Sequence, residues 1–122
     1  MNYLVTPMAK PRMTRADKFK QRTVVLRYRA YKDELRLRRV KVPEGATHIT
    51  FVLPMPASWS KKKRETMLGT PHQQRPDVDN LHKGLLDAVF KEDCQVWDHR
   101  ITKVWGVQGM IRVEPIENEN AA

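Results

Sequence analysis

Cysteine is nearly absent: Cys94 stands alone among 122 residues. One thiol can close no intrachain disulfide and build no cysteine-based zinc site, which fits a reducing cytosol. Long apolar runs are missing too. Nothing approaches the ~18 consecutive apolar residues of a membrane span. The start MNYLVTPMAK also lacks a charged opening followed by an apolar signal core, so a soluble, cytoplasmic protein with no membrane partner is expected. There is no internal repeat, no low-complexity tract and no Pro-rich stretch long enough to separate one core from another. A chain this short then forms one domain with one modest core.

Acidic charge is scarce in the N-terminal portion of the chain. Residues 1–75 carry 18 Lys and Arg against 5 Asp and Glu, and residues 76–122 carry 5 against 9; the balance is +13, then −4, for a net +9. A monomer acting on a small soluble substrate has little use for that much self-repulsion. The excess therefore implies an anionic partner, nucleic acid first, with the N-terminal portion gripping phosphates and the remainder free to hold a metal.

The hydrophobic pattern predicts a short strand over 3–6 and a proline-stiffened loop over 7–14 that offers Lys10 and Arg12. A helix is expected from about Ala16 to Arg39, with Val24, Tyr28, Tyr31 and Leu35 inward and several arginines facing solvent or phosphate. THITFVL alternates as a half-buried strand with Ile49, Phe51 and Leu53 on one face. Ser58 or Ser60 can cap a short basic helix that runs to Leu68, with Gly69 as its stop. A central helix follows, then strands at QVWD, RITKVWGV and MIRVEPI. The expected fold is α+β: a single small domain over 1–116, with a mixed β-sheet packed with two or three helices, and a flexible acidic tail over 117–122.

Inside this basic chain, RPDVDNLHKGLLDAVFKEDCQVWD (Arg75 to Asp98) gathers carboxylates. Asp77 and Asp79 lie two apart, so in an extended segment they point the same way. If the helix begins near Asp79, then Asp79, Lys83 and Asp87 share one stripe, while Leu81, Leu85, Ala88 and Val89 face the core. Hard cations prefer carboxylate oxygens, so Asp77 and Asp79, joined by Asp93 from a neighbouring strand, could hold Mg²⁺, with Mn²⁺ as the alternative. Lys83 could then stabilise a pentavalent phosphorus or protonate a leaving oxygen. Structural roles compete with this reading: an aspartate N-cap at Asp77 or Asp79, and an ordinary i,i+4 pair between Lys83 and Asp87.

These same residues resemble a known family. RPDVDNLHKGLLDAV followed by KEDCQV is similar to the signature of the RusA-type Holliday junction resolvases, in which an acidic pair, Asn-Leu, a lysine and a later acidic segment occur in that order. PMAKPRMT and SWSKKKRETMLGTPH resemble the family's early basic loop and lysine-rich segment. The sequence departs from the usual pattern at Glu92 and Cys94. The resemblance implies metal ligands at Asp77, Asp79 and Asp93 and a catalytic lysine at Lys83. It further implies a Mg²⁺-dependent endonuclease that acts as a homodimer on four-way branched DNA, and an origin in a phage or prophage.

Lys10, Arg12, Lys61, Lys62, Lys63, Arg64 and Arg75 are the candidate DNA contacts, with strong salt dependence expected. A less selective metal nuclease and a noncatalytic DNA-binding accessory protein remain alternatives. Trp97, Trp105 and Cys94 are assigned to the core. His72 is placed in a solvent-facing loop close to the acidic site, His82 as an ordinary helix residue, and His48 and His99 are left without partners.

Overall fold

The computed structural model describes residues 1–12 and 23–116; the beginning of the expected first helix and the expected tail lie outside the described residues. The elements run β1 (Asn2–Tyr3), α1 (Thr23–Leu37), β2 (Thr47–Pro54), α2 (Lys61–Met67), α3 (Val78–Val89), a 3₁₀ turn (Asp93–Gln95), β3 (His99–Gly106) and β4 (Met110–Pro115). They form a small α+β domain. One mixed sheet in the order β1-β4-β2-β3 has β2 parallel to β3 and antiparallel to β4. Parallel neighbours need a long crossover; here the β2–β3 crossover carries α2 and α3.

β2 lies between two strands, and its composition suits that place. Ile49, Phe51 and Leu53 enter the core, but Thr50 and Val52 on the opposite face are also buried, so the strand is covered on both sides rather than on one. The core joins Ile49, Phe51 and Leu53 to Tyr28, Tyr31 and Leu35 of α1, Leu81 and Leu85 of α3, and Ile111 and Val113 of β4. Each fully buried aliphatic or aromatic side chain of this kind contributes about 1.5–3 kcal/mol.

Several boundaries differ from expectation. Val5 turns its N–H back to the Tyr3 carbonyl (2.9 Å), which ends the first strand at Tyr3. In α1 the inward residue is Val25, and Val24 is exposed, because the stripe follows 25, 28, 31 and 35. The helix stops at Leu37 in a Schellman arrangement: Arg39 N–H meets the Arg36 carbonyl (3.0 Å) and Val40 N–H the Leu35 carbonyl (3.0 Å). Arg39 takes the left-handed conformation at φ 54°, and buried Val40 joins Leu35 in the core.

QVWD is not a strand. Gln95 N–H turns back to the Glu92 carbonyl (3.4 Å) and Trp97 N–H goes to Glu44 (2.9 Å), so the ladder begins only at His99. Trp97 is 74% exposed rather than in the core, lying against Gly45, and Cys94 is exposed as well. Trp105 is buried as expected.

Three segments meet at Gly84, the one glycine of α3. A Cβ there would lie 2.5 Å from the Met8 carbonyl oxygen and 3.0 Å from the Lys10 nitrogen. Its absence lets the 7–12 loop lie directly on the helix, where Lys10 N–H reaches the Asn80 carbonyl (3.3 Å). From the other side, the buried Tyr28 hydroxyl donates to the Gly84 carbonyl (2.8 Å). Burial, and after it the Asp87 charge, pushes that hydroxyl's pKa up to about 12, so it remains a protonated donor. Gly84→Ala should therefore destabilise the protein by about 1–2 kcal/mol: the overpacking penalty exceeds alanine's helix preference of about 1 kcal/mol. A urea denaturation midpoint lower than wild type is the expected reading.

Candidate active site

The sequence RPDVDN enters α3 with Asp77 in the N-cap position, extended at φ −68° and ψ 149°. An aspartate there ordinarily accepts a hydrogen bond from the first turn. Asp77 makes no such bond; only its backbone carbonyl is engaged, by Leu81 N–H (3.1 Å). The capping role therefore does not account for this side chain. Asp79 follows in the first turn, where the helix dipole favours a negative charge. Both carboxylates are exposed, and neither makes a hydrogen bond or ion pair with the described residues.

Lys83 lies one turn beyond Asp79, also exposed. The pair expected with Asp87 does not form, because Asp87 is ion-paired with Lys10 across the α3–loop contact. That leaves the Lys83 ammonium without an ion-pair partner among the described residues, beside a cleft of about 540 Å³ lined by Lys10, Pro11, Arg12, Asn80 and Lys83. The 7–12 loop, seated at Gly84, thus brings the early basic residues to the helix that carries the aspartates.

A second device holds the entry to the helix. Lys103 of β3 donates to the Pro76 carbonyl (2.7 Å) and to the Gln74 carbonyl, on either side of Arg75. Arg75 itself is exposed. Sequence reasoning missed Lys103. The available signal was a lysine between Ile101 and Trp105, on the strand face that those two turn toward the core. Gly84 was equally legible, as a glycine on the apolar stripe of a helix.

Next along the same strand face, His72 is buried at 5% exposure, not solvent-facing, with its ring 4.1 Å from that of Trp105. Burial, and then the Lys103 charge, lowers its pKa below the ordinary histidine value, so the ring is neutral at pH 7. Its Nδ1 has no hydrogen-bond partner among the described residues. His82 and His99 are joined (2.9 Å), and His99 Nε2 donates to the Pro43 carbonyl (2.6 Å), tying α3 to the start of β3. His48 pairs with Thr102 (2.8 Å). These partners come from segments far apart in sequence.

Asp93 opens the 3₁₀ turn rather than lying in an extended strand, and its side chain is outside what the structure describes. Among the described residues no group of three His, Cys, Asp or Glu gathers as a metal site. The two free carboxylates of Asp77 and Asp79 are nonetheless the donor type that a hard divalent cation takes. The α2 cluster is elsewhere: Ser60 caps that helix by accepting from Lys63 N–H (3.2 Å), and Lys63 sits 4.3 Å over the Trp59 ring. Lys61 and Arg64 line a separate groove with Trp59.

Asp77 and Asp79, exposed at a helix start, thus share α3 with Lys83, and none of the three has an ion-pair partner among the described residues; the cationic cleft lies beside them on a basic α+β domain. The chain belongs to the RusA endodeoxyribonuclease family, whose model matches residues 3–115. No curated protein and no solved structure matches it. Among the described residues, no helix is long and apolar enough to cross a membrane.

Lys103→Met should loosen the loop that presents Asp77. The expected cost is about 1 kcal/mol in urea denaturation, together with a roughly ten- to hundredfold loss of nuclease turnover from misplacement of the carboxylate. Turnover unchanged from wild type would remove Lys103 from the site.

Proposed function

We propose that the protein is a divalent-metal-dependent endonuclease that resolves four-way DNA junctions as a homodimer, in DNA recombination and repair. The observation that carries the reading is that Asp77, Asp79 and Lys83, presented by one helix beside the cationic cleft, have no ion-pair partner among the described residues. Membership of an endodeoxyribonuclease family supports DNA as the substrate.

Asp77 and Asp79, with Asp93 as the third ligand, would hold Mg²⁺ or Mn²⁺. When bound, such an ion supplies charge to the scissile phosphate and lowers the pKa of an attacking water. Lys83 is the residue of this chain suited to the developing charge: its ammonium can donate to a phosphate oxygen or to the leaving 3′ oxygen. Arg12 and the backbone of the 7–12 loop would orient the strand in the cleft. Lys10 acts mainly by position, since its charge is shared with Asp87. Arg75 and the Lys61–Arg64 run would add phosphate contacts away from the bond being cut. A twofold dimer would offer two equivalent sites to two equivalent strands of a junction, so that paired cuts are coupled by symmetry.

The test uses a labelled mobile four-way junction and a linear duplex, each with Mg²⁺ or EDTA. Symmetric nicks confined to the junction with Mg²⁺ are expected. Asp79→Asn should lower cleavage by at least about 10²-fold while retaining junction binding, and Lys83→Ala should reduce turnover more than affinity. Equal cutting of the linear duplex would point to an unselective nuclease, and full activity of Asp79→Asn would end the metal assignment.

A further inference from the structure

Beyond the acidic site, the seam between α1 and α3 carries a row of cations that the cleavage chemistry does not use. Arg29, Lys32 and Arg36 follow at steps of three and four, within about 60° of one face of α1 at 100° per residue. Arg39 and Lys41 extend the row past the helix end. Lys91 joins it from beyond α3.

These residues line two successive clefts of about 380 Å³ each along the seam. The first holds Lys10, Arg29, Lys32 and Lys91 around Asp87; the second holds Arg36, Arg39 and Lys41 over an apolar floor that includes Leu35 and Val89. Lys10 lines both the first seam cleft and the active-site cleft, so the row is continuous with the place where the strand would be cut.

The carboxylates that could neutralise the row do little of that work. Asp87 is taken by Lys10. Asp33 meets Arg36 only at 4.0 Å, with both side chains more than 70% exposed, and Glu34 pairs with Arg38, which lies off the row. Arg29, Lys32, Arg39, Lys41 and Lys91 have no carboxylate partner among the described residues. Lys32 is instead 5.5 Å over the Tyr28 ring, close to the helix surface.

We infer that this seam is a second DNA-binding surface, a track for the phosphate backbone of a duplex arm leading away from the cleavage site. The spacing suits that ligand. From Arg29 to Arg36 the helix rises about 10 Å, which matches about three nucleotides of one strand at about 3.4 Å each. Left-handed Arg39 and then Lys41 lengthen the row beyond the helix. A polyanion with evenly spaced charges can engage several of these cations at once, whereas a single small anion would leave most of them unmatched. The inference rests on the nuclease reading for its ligand, but it concerns grip rather than chemistry.

The test places Arg29→Ala, Lys32→Ala and Arg39→Ala together in the Asp79→Asn protein and measures anisotropy of a labelled four-way junction across a salt series. A matched control removes three cations off the row, Arg38, Arg100 and Arg112. Neutralising three phosphate contacts should flatten the slope of log affinity against log salt by about 3, and each single change by about 1. Affinity should weaken at least tenfold at moderate salt, with the control close to its parent. A track variant with the parent's slope and affinity overturns the track while leaving the nuclease reading intact. If the wild-type protein cuts junctions but track and control variants weaken equally, the effect is net charge alone and the track is again refuted. A parent that binds no DNA defeats both readings.

Discussion

Backbone contact at Gly84 is the constraint from which the site follows. With no Cβ in the way, the 7–12 loop lies against α3 closely enough for Lys10 N–H to bond the Asn80 carbonyl, while Tyr28 holds the same turn from α1. That contact brings Lys10 to Asp87, and the resulting pair occupies the carboxylate that would otherwise compete for Lys83. At the other end of the helix, Lys103 binds the carbonyls of the entering loop. Between the two, Asp77 and Asp79 are carried on a rigid element yet left without side-chain partners among the described residues.

Such an arrangement does not maximise stability. An aspartate in the N-cap position that makes no capping bond forgoes about 1 kcal/mol, and two exposed carboxylates two residues apart repel. Local rules broken without compensation within the fold are characteristic of functional sites. Under the proposed function the compensation is chemical. A hard cation would neutralise the pair, and the positive charge elsewhere on the domain would draw DNA toward carboxylates that would otherwise oppose it.

Much of this was legible in the sequence because it is local. The three helices and the long strands follow from apolar spacing and from punctuation at Pro43, Gly45, Ser60 and Gly69, and the acidic string RPDVDN marks the helix start and the family. What escaped depended on contacts between distant segments. Val24 and Val25 both fit a helical stripe, and only the assembled fold selects Val25, which is buried while Val24 is exposed. QVWD has strand composition, but Trp97 N–H is claimed by Glu44, fifty-three positions earlier. His72 looked like a loop histidine because nothing nearby in sequence reveals the Trp105 ring against which it lies. Lys103 and Gly84 were the readable exceptions: each breaks the pattern of its own element, and each marks a place where another segment arrives.

The central claim is that Asp77 and Asp79 are kept free to hold a divalent ion. Calorimetric titration of Mg²⁺ into the wild-type protein, with the Asp77→Asn/Asp79→Asn variant alongside and folding checked by circular dichroism, tests it most directly. The account predicts saturable Mg²⁺ binding to the wild-type protein that is lost in the folded variant. Equal Mg²⁺ uptake by the two proteins, or none by the wild type, would contradict it.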